Sequence, residues 1–212
     1  MIPPPADASD ATPVGVPRVV SRGYYKLQHA LHEFGIDPEG LACVDLGASV
    51  GGFSQCLLAC GASRVVSVDT AKGILDYAVR RDERVRVLER ANALHVEPDE
   101  AVDLVVMDLG WTPQRLALPA AAGWLQAGGR IVSLIKPHYE SGEHLTSEDE
   151  AERIVRGTVE AVGEIGFACA ALTRSPIAGS RRKGKSAKAG TGNSEWLGLF
   201  RVAQAVDDAQ PG

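Results

Sequence analysis

A glycine-rich segment near residue 50 has the composition of a turn that binds a nucleotide-like ligand. It spans Val44–Phe53 and joins an apolar run to a helical pattern. Glycines let the backbone turn sharply and let a ligand approach closely, and the following helix offers free N–H groups at its start. The spacing matches neither G-x-G-x-x-G nor the P-loop, which ends in Gly-Lys-Ser/Thr. Because the turn contains no lysine, it argues against a triphosphate ligand.

Two aspartates flank this turn at positions that suit ligand binding. Asp69 ends the next apolar run, 22 residues after Gly47. A carboxylate there can accept hydrogen bonds from ribose hydroxyls. The alternative for Asp69 is a simple loop carboxylate or helix cap. Asp45 comes directly before the turn, and we expect it to orient N–H groups of the loop.

Charge is distributed unevenly along the chain. The formal net charge is −5, yet six basic and no acidic residues lie between Arg174 and Lys188. This stretch is rich in glycine and serine, so we expect a loop that can contact a phosphate backbone. Residues 140–152 carry six acidic residues and no lysine or arginine. They are expected to form a solvated surface.

An alternation of strands and helices must position these residues. Apolar runs predict strands at 41–46, 64–68, 85–88, 102–107 and 130–135. Helices are predicted at 51–60 and 73–81, and Thr112-Pro113 predicts another helix start, although Pro119 should bend or break that helix. Gly128-Gly129 is expected to precede the strand at 130–135. Repeated β–α units imply a mostly parallel sheet covered by helices on both faces.

Two further helices and a hairpin complete the predicted α/β domain. One helix is expected to start after the N-cap residue Ser21 and to end at Gly35. The capping box Ser147-x-x-Glu150 opens a longer helix. Its expected inward face consists of apolar residues: Ala151, Ile154, Val155, Val159, Val162 and Ile165. Strands near 168–173 and 195–202 flank the basic loop and are expected to pair as a hairpin.

Length and composition bound the class of protein. The chain has 212 residues, of which 45% are apolar and 23% charged, as in one globular domain. We expect a flexible Pro/Ala-rich arm over 1–20, one domain over 21–204 with a basic loop at 176–194, and a tail at 205–212. No apolar run suits a membrane span or a secretory signal, so a cytoplasmic location is expected. The four cysteines lie in apolar stretches and are expected to pack as small hydrophobic residues.

Four separate segments resemble one family of enzymes. Asp45-Leu-Gly-Ala-Ser-Val-Gly-Gly-Phe-Ser is similar to the first motif of S-adenosylmethionine-dependent methyltransferases, with Val50 where a proline is common. Three more segments match in order and context: Ser21-Arg-Gly-Tyr-Tyr-Lys-Leu, Val105-Val-Met-Asp-Leu and Leu134-Ile-Lys-Pro-His-Tyr-Glu. The resemblance is closest to the FtsJ/RrmJ-like ribosomal RNA 2′-O-methyltransferases, and within them to the TlyA-type branch. It covers roughly residues 20–203.

The resemblance implies a fold and a cofactor. The fold is Rossmann-like, with a mostly parallel seven-stranded sheet, an antiparallel last strand and helices on both faces. The cofactor is S-adenosylmethionine, and no metal is expected. The residues that match the cofactor-binding positions of the family are Asp45, Gly47, Ser49, Gly51, Gly52, Phe53, Asp69, Asn92 and Asp108. Asn92 replaces a frequent aspartate, and its side-chain carbonyl can still accept a hydrogen bond from adenine.

The resemblance also implies a Lys-Asp-Lys-Glu tetrad that transfers a methyl group to a ribose hydroxyl. The matching residues are Lys26, Asp108, Lys136 and Glu195. A sugar hydroxyl is a very weak acid, so either positive charge stabilises the developing alkoxide or a lysine accepts the proton. We expect Lys136 to have one of these two roles and Asp108 to orient it. Lys26 and Glu195 are expected to position the ribose.

The expected partner is RNA, ribosomal RNA in particular, and a monomer is favoured. TlyA-type proteins carry an S4 RNA-binding domain before the catalytic domain, whereas this chain has its Pro-rich arm there. RNA would then be held by a partner protein or by basic residues of the chain: Arg22, Arg181, Arg182, Lys183 and Lys185. Because aromatic residues make up 5% of the chain, no base-stacking platform is evident.

Two alternative functions remain open at the level of sequence. The first is a methyltransferase that uses the same cofactor on a small molecule or on an RNA base. The second is a non-catalytic RNA-binding protein on a methyltransferase scaffold, against which the intact Asp45, Gly47, Gly51 and Asp69 already argue. The scaffold hosts many substrates, so the fold alone does not separate the first alternative from ribose methylation.

Overall fold

Apolar segments of the chain form the strands of one sheet. The computed structural model describes residues 18–142, 147–179 and 194–203. In these residues the strands are β1 (Ala42–Leu46), β2 (Arg64–Asp69), β3 (Val85–Glu89), β4 (Val102–Met107), β5 (Leu125–Ile135), β6 (Phe167–Arg174) and β7 (Trp196–Val202). The helices are α1 (Gly23–Glu33), α2 (Gly52–Ala59), α3 (Tyr77–Arg80), α4 (Gln114–Ala122), α5 (Pro137–Glu140) and α6 (Glu148–Glu164). The predicted tail at 205–212 and most of the predicted arm and basic loop lie outside the described residues.

The sheet has the order β3-β2-β1-β4-β5-β7-β6. The pairs from β3 to β5 are all parallel, whereas β7 runs antiparallel to both β5 and β6. This topology confirms the predicted mostly parallel seven-stranded sheet with an antiparallel last strand. The predicted β6–β7 hairpin is also confirmed. The order reverses between β1 and β4, which places their carboxyl ends side by side at the usual position of a ligand.

Helices cover both faces of the sheet and bury two apolar clusters. One cluster joins Leu27 of α1 and Leu57 of α2 to strand residues such as Val106. The other joins Leu118 of α4 and Val155 of α6 to the opposite sides of the same strands. Neighbouring side chains of a strand point to opposite faces, so continuous apolar runs suit strands that are covered twice.

The starts of two helices follow the predicted caps closely. Ser147 accepts a hydrogen bond from the N–H of Glu150, as predicted for the start of α6. At α1 the N-cap position falls one residue later than predicted, at Arg22, while the Ser21 hydroxyl accepts from the N–H of Gly23 at 3.2 Å.

The prediction that Ile165 faces inward was wrong. Helix α6 ends before it, and its side chain is 45% exposed.

Two predicted helices differ from the structure. The helix predicted at 73–81 shrinks to α3, because the Asp76 side chain caps it by accepting from the N–H of Ala78. Helix α4 is not broken by Pro119 and continues to Ala122. The proline removes one backbone hydrogen bond, while a buried apolar face holds the helix on the sheet. Pro113 is also the N-cap residue of α4 and not its first helical residue.

Strand β5 begins five residues before its predicted start. Gly128 and Gly129 lie inside the strand, where the pairing with β4 shifts register between Val102 and Leu104. Gly128 has a φ of +78°, which glycine adopts without a steric penalty. The two glycines therefore form a bulge that lets the strand continue. The sequence patterns also did not predict α5, a four-residue helix directly after Lys136.

The four cysteines are free thiols that pack in the fold. Cys43 and Cys56 are fully buried, and burial raises the pKa of the Cys43 thiol to about 12. Cys60 and Cys169 are partly buried. Within the described ranges, no helix is long and apolar enough to cross a membrane. The same residues contain no group of three or more His, Cys, Asp or Glu side chains arranged to hold a metal ion.

Candidate active site

The carboxyl ends of β1, β4 and β5 meet at one edge of the sheet. The chain turns from β1 towards β2 on one side, and the carboxyl ends of β4 and β5 lie on the other. In open α/β sheets, ligands bind in the crevice that such a reversal leaves. A cavity of about 370 Å³ lies here. Its volume is within the range of small-molecule sites.

All four residues of the predicted tetrad line this cavity. Lys26 of α1 forms an ion pair with Glu195, which directly precedes β7. Lys136 directly follows β5 and forms an ion pair with Asp108, which directly follows β4. Strands β4 and β5 are parallel neighbours, so the residues after their carboxyl ends are brought side by side. The structure thus brings the four side chains together as two ion pairs.

The two ion pairs differ in burial and in their effect on pKa. The Lys26 and Glu195 side chains are 9% and 4% exposed, whereas those of Lys136 and Asp108 are 14% and 30% exposed. Burial raises the pKa of Glu195 above its usual value, although Lys26 opposes the shift. Burial lowers the pKa of Lys136, but the Asp108 carboxylate more than reverses this, and the net pKa is raised. Lys136 is therefore an ammonium at neutral pH.

Asp45 is fully buried beneath the glycine-rich turn. Its Oδ2 accepts hydrogen bonds from the N–H and the hydroxyl of Ser54, at 2.9 and 2.6 Å. The Ser54 hydroxyl also lies 2.7 Å from that of Ser67. The Oδ1 atom of Asp45 has no hydrogen-bond partner among the described residues, and Asp45 lines the cavity. Burial raises its pKa to about 7. A donor group of a bound ligand would satisfy the open oxygen.

Two glycines of the turn occupy positions where a side chain would clash. A Cβ atom on Gly47, whose φ is +85°, would lie 2.7 Å from the carbonyl oxygen of Asp108. A Cβ atom on Gly52 would lie 3.0 Å from the backbone nitrogen of Tyr24 and 3.2 Å from the Cα of Gly23. Glycine therefore lets the turn pack directly against the loop after β4 and the start of α1. Gly47 and Gly52 both line the cavity.

Of the other residues predicted to bind the cofactor, some line the cavity and some do not. Ser49 and Phe53 line the cavity, whereas Gly51 faces α3 with a φ of +96°. Asp69 lies outside the cavity lining and accepts hydrogen bonds from the N–H groups of Ser49 and residue 71, at 2.7 and 2.8 Å. A loop carboxylate makes such contacts, and the ribose-binding role of Asp69 stays a prediction. Asn92 is exposed, and its side-chain carbonyl accepts from the N–H of residue 94 at 2.9 Å.

Of the residues predicted to bind RNA, the structure describes Arg22. It is exposed and lines the cavity. Arg181, Arg182, Lys183 and Lys185 lie outside the described residues. The last described residue before them is 179, a glycine that also lines the cavity.

An aromatic cluster at the cavity was not predicted from composition. Trp111 is 80% exposed, although its φ of +58° is uncommon for a bulky residue. Its ring centroid lies 4.6 Å from that of Tyr139, with an interplanar angle of 31°. Tyr139 lines the cavity, and its ring centroid is 5.4 Å from the Nζ atom of Lys136. The sequence did contain a signal, since Trp111 follows Asp108 by three residues. The low total aromatic content concealed it.

The fold and the cavity define a Rossmann-like methyltransferase domain, and comparison with known proteins identifies its family. The model of the FtsJ-like methyltransferases matches residues 19–161. The chain belongs to this family. The match confirms the family predicted from the sequence, and with it the methyltransferase class and S-adenosylmethionine as the cofactor of that class.

Several relatives match shorter or longer parts of the chain. It is 45% identical over 127 residues to TlyA of Mycobacterium tuberculosis, a 16S/23S rRNA (cytidine-2′-O)-methyltransferase, covering 58% of this chain and 47% of TlyA. It is 32% identical to Hemolysin A of Brachyspira hyodysenteriae, covering 87% and 78% of the two chains. The crystal structure of a candidate hemolysin from Lactococcus lactis matches with a TM-score of 0.77 and 30% identity, covering 87% and 89%. The chain thus spans about half the length of TlyA.

Proposed function

We propose that the protein is an S-adenosylmethionine-dependent methyltransferase that acts on the ribose 2′-hydroxyl of RNA, ribosomal RNA in particular. The observation that carries this proposal is the single cavity in which Lys26, Asp108, Lys136 and Glu195 meet the glycine-rich turn. The name of the TlyA relative, an rRNA (cytidine-2′-O)-methyltransferase, supports the substrate class.

The turn after β1 has the features needed to hold S-adenosylmethionine. Gly47 and Gly52 let the turn pack tightly against its neighbours at the cavity wall, and the buried Oδ1 atom of Asp45 can accept a hydrogen bond. We assign these residues, with Ser49 and Asp108, to binding the cofactor. When bound, the cofactor supplies an electrophilic methyl group on a sulfonium.

We assign Lys136 to stabilising the negative charge that develops on the ribose oxygen. A fixed cation next to that oxygen lowers the free energy of the transition state. Asp108 raises the pKa of Lys136 and accepts its hydrogen bond, so the ammonium form is kept in place. A proton acceptor would need a pKa shifted downwards. In this mechanism the hydroxyl proton leaves to solvent, and Lys136 keeps its own.

The other two members of the tetrad are assigned to holding the ribose. Glu195 is an acceptor fixed by Lys26, and both side chains are less exposed than the second ion pair. Trp111 lies in the loop that carries Asp108, Tyr139 lies in α5 directly after Lys136, and their rings pack at a tilt beside the cavity. A nucleobase can stack on such a surface. The site therefore offers separate contacts for the ribose and for the base.

Transfer of tritiated methyl groups to purified ribosomal RNA and assembled subunits tests the proposal. Label that persists in alkali-resistant dinucleotides shows that the ribose is methylated. Lys136→Ala should abolish this label while calorimetry shows unchanged S-adenosylmethionine binding. Lys136→Arg separates the two roles of the lysine, because arginine keeps its charge and does not lose its proton. Full activity of Lys136→Ala would overturn the proposal. A rate insensitive to added salt would favour a small-molecule acceptor, because no phosphate contacts would be screened.

A further inference from the structure

Glu140 is a largely buried carboxylate that the proposed chemistry does not use. It is the last residue of α5, the short helix directly after Lys136. Its two oxygen atoms accept hydrogen bonds from the backbone N–H of Gln114, at 3.0 and 3.2 Å. Gln114 is the first residue of α4. A side chain from the segment after β5 therefore caps the helix that follows β4.

The start of helix α4 has no cap from its own N-cap residue. Its own N-cap residue, Pro113, makes no side-chain cap hydrogen bond and has no N–H of its own. The first N–H groups of a helix lack partners within the helix, and negative charge next to them is favourable. Glu140 therefore accepts a hydrogen bond from the Gln114 N–H, for which the N-cap residue provides no acceptor.

The capped residue is also anchored to β5. The buried side chain of Gln114 accepts a hydrogen bond from the Ser133 hydroxyl at 2.7 Å and donates one to the carbonyl of Leu134 at 3.3 Å. Both partners lie in β5, two to three residues before Lys136. Glu140 and Gln114 thus form a chain of hydrogen bonds that runs from β5 to α4 and from α4 to α5.

These hydrogen bonds lie behind the two segments that carry the cavity residues. The loop after β4 carries Asp108 and Trp111 and ends at α4, whereas the segment after β5 carries Lys136 and Tyr139 and ends at Glu140. The same two segments touch through the Lys136–Asp108 ion pair inside the cavity and through the Trp111–Tyr139 ring contact beside it. Glu140 does not line that cavity; it lines a separate groove of about 270 Å³ between α4 and α6.

We propose that Glu140 is a positioning residue: by capping α4 it holds the segment after β5 against the loop after β4. It thereby sets the contact of Lys136 with Asp108 and of Tyr139 with Trp111. The catalytic part of this proposal rests on the proposed function, whereas the structural part does not. Glu140 acts through its neighbours and touches no reacting atom.

Hydrogen–deuterium exchange of the intact protein tests the structural part without any assay of activity. In Glu140→Ala, amide exchange should become faster at residues 109–117 and 136–141 and stay unchanged in β1, β2 and β3. Glu140→Gln should restore protection, because its side-chain oxygen can still accept from Gln114. Glu160→Ala, which removes an exposed carboxylate of α6, is the matched control. Unchanged exchange in both loops of Glu140→Ala, or faster exchange throughout the sheet, would overturn the proposal.

Methyl transfer tests the catalytic part. In Glu140→Ala, kcat should fall about tenfold or more, because small displacements of reacting groups reduce rates steeply. Affinity for S-adenosylmethionine should be unchanged, and Glu140→Gln should recover most of kcat. Loosened loops with an unchanged kcat would refute the catalytic part. A wild-type protein that methylates no RNA would refute the proposed function, while the exchange result would still decide the role of Glu140. If Glu140→Ala does not fold, Glu140→Asp replaces it and should loosen the same two segments.

Discussion

Both ion pairs of the cavity join a lysine to a carboxylate, but different elements of the fold carry them. Lys26 and Glu195 join a helix near the start of the chain to a strand near its end, and their side chains are 9% and 4% exposed. Lys136 and Asp108 join the ends of two neighbouring strands, and their side chains are 14% and 30% exposed. One pair is enclosed by the fold, and the other opens towards solvent.

This difference indicates a division of roles. Removing one partner of a buried ion pair leaves an uncompensated charge and is strongly destabilising. An open pair costs less to lose, because water can solvate the remaining charge. We therefore expect the enclosed pair to contribute more to stability and the open pair to contribute more to the rate of reaction.

The largest effect is expected for the open pair, and it concerns the rate of methyl transfer. Lys136→Ala should lower the single-turnover rate of methyl transfer about a thousandfold, since it removes the charge next to the ribose oxygen. The free energy of unfolding should change by no more than about 1 kcal/mol. Rapid-quench kinetics and urea denaturation measure the two quantities. A variant that unfolds easily but reacts normally would reverse the assignment of the two pairs.

The enclosed pair should show its effect on stability. Lys26→Ala leaves Glu195 buried without its partner and should lower the free energy of unfolding by about 3 kcal/mol. The double variant Lys26→Met, Glu195→Leu should regain most of that loss, because it buries no charge. Urea denaturation of the three proteins measures this. Equal losses in the single and double variants would show that the charge pairing is not the cause.

The aromatic pair beside the open ion pair should affect substrate binding. Trp111→Ala removes a surface for base stacking, so KM for RNA should rise about tenfold, with a smaller change in kcat. Trp111→Phe should retain most of the affinity because it keeps an aromatic face. Steady-state kinetics at fixed cofactor concentration separate the two parameters. A fall in kcat alone would instead connect Trp111 with the position of Lys136.

Glu140, behind the open pair, should make stability depend on pH. Burial raises its pKa from 4.5 to about 7, although the Gln114 N–H and Arg115 oppose the shift. A carboxyl with a raised pKa stabilises the fold fully below its ordinary pKa, and this contribution is lost as pH rises through the folded value. Because glutamine does not ionise, the free energy of unfolding of Glu140→Gln should rise relative to that of wild type by about 1 kcal/mol from pH 5 to pH 8. Urea denaturation of both proteins at the two pH values measures this. A difference between the two proteins that does not change with pH would contradict the prediction.

The smallest effect is expected at an ion pair far more exposed than either of the two in the cavity. Arg174 pairs with Glu148 at the start of α6, and their side chains are 58% and 43% exposed. Arg174→Ala should lower the free energy of unfolding by less than about 1 kcal/mol, and added salt should reduce the difference further. Thermal unfolding at low and high salt measures both. A loss as large as that of Lys26→Ala would mean that the burial of an ion pair does not determine how much it stabilises the protein.

Local sequence patterns were sufficient for elements whose signals lie within a few residues. Strand β4 begins and ends where its apolar run predicts, and the Ser147 cap forms as predicted. They were insufficient where tertiary contacts outweigh local preference. Pro119 stays inside α4 because the helix is buried against the sheet, and Gly128 stays inside β5 because a bulge absorbs it. Helix α5 has four residues and therefore too short a pattern to predict.

For the site, sequence determined which residue types were available, and only the tertiary structure decided which of them meet. The resemblance to known motifs named Lys26, Asp108, Lys136 and Glu195, but no local pattern pairs Lys26 with a residue 169 positions away. That pairing depends on the antiparallel placement of β7 beside β5. The cap of α4 by Glu140 likewise joins elements that follow different strands. Helices and strands follow from short-range spacing, whereas the burial, partners and pKa of a charged side chain depend on which distant segments the folded sheet brings together.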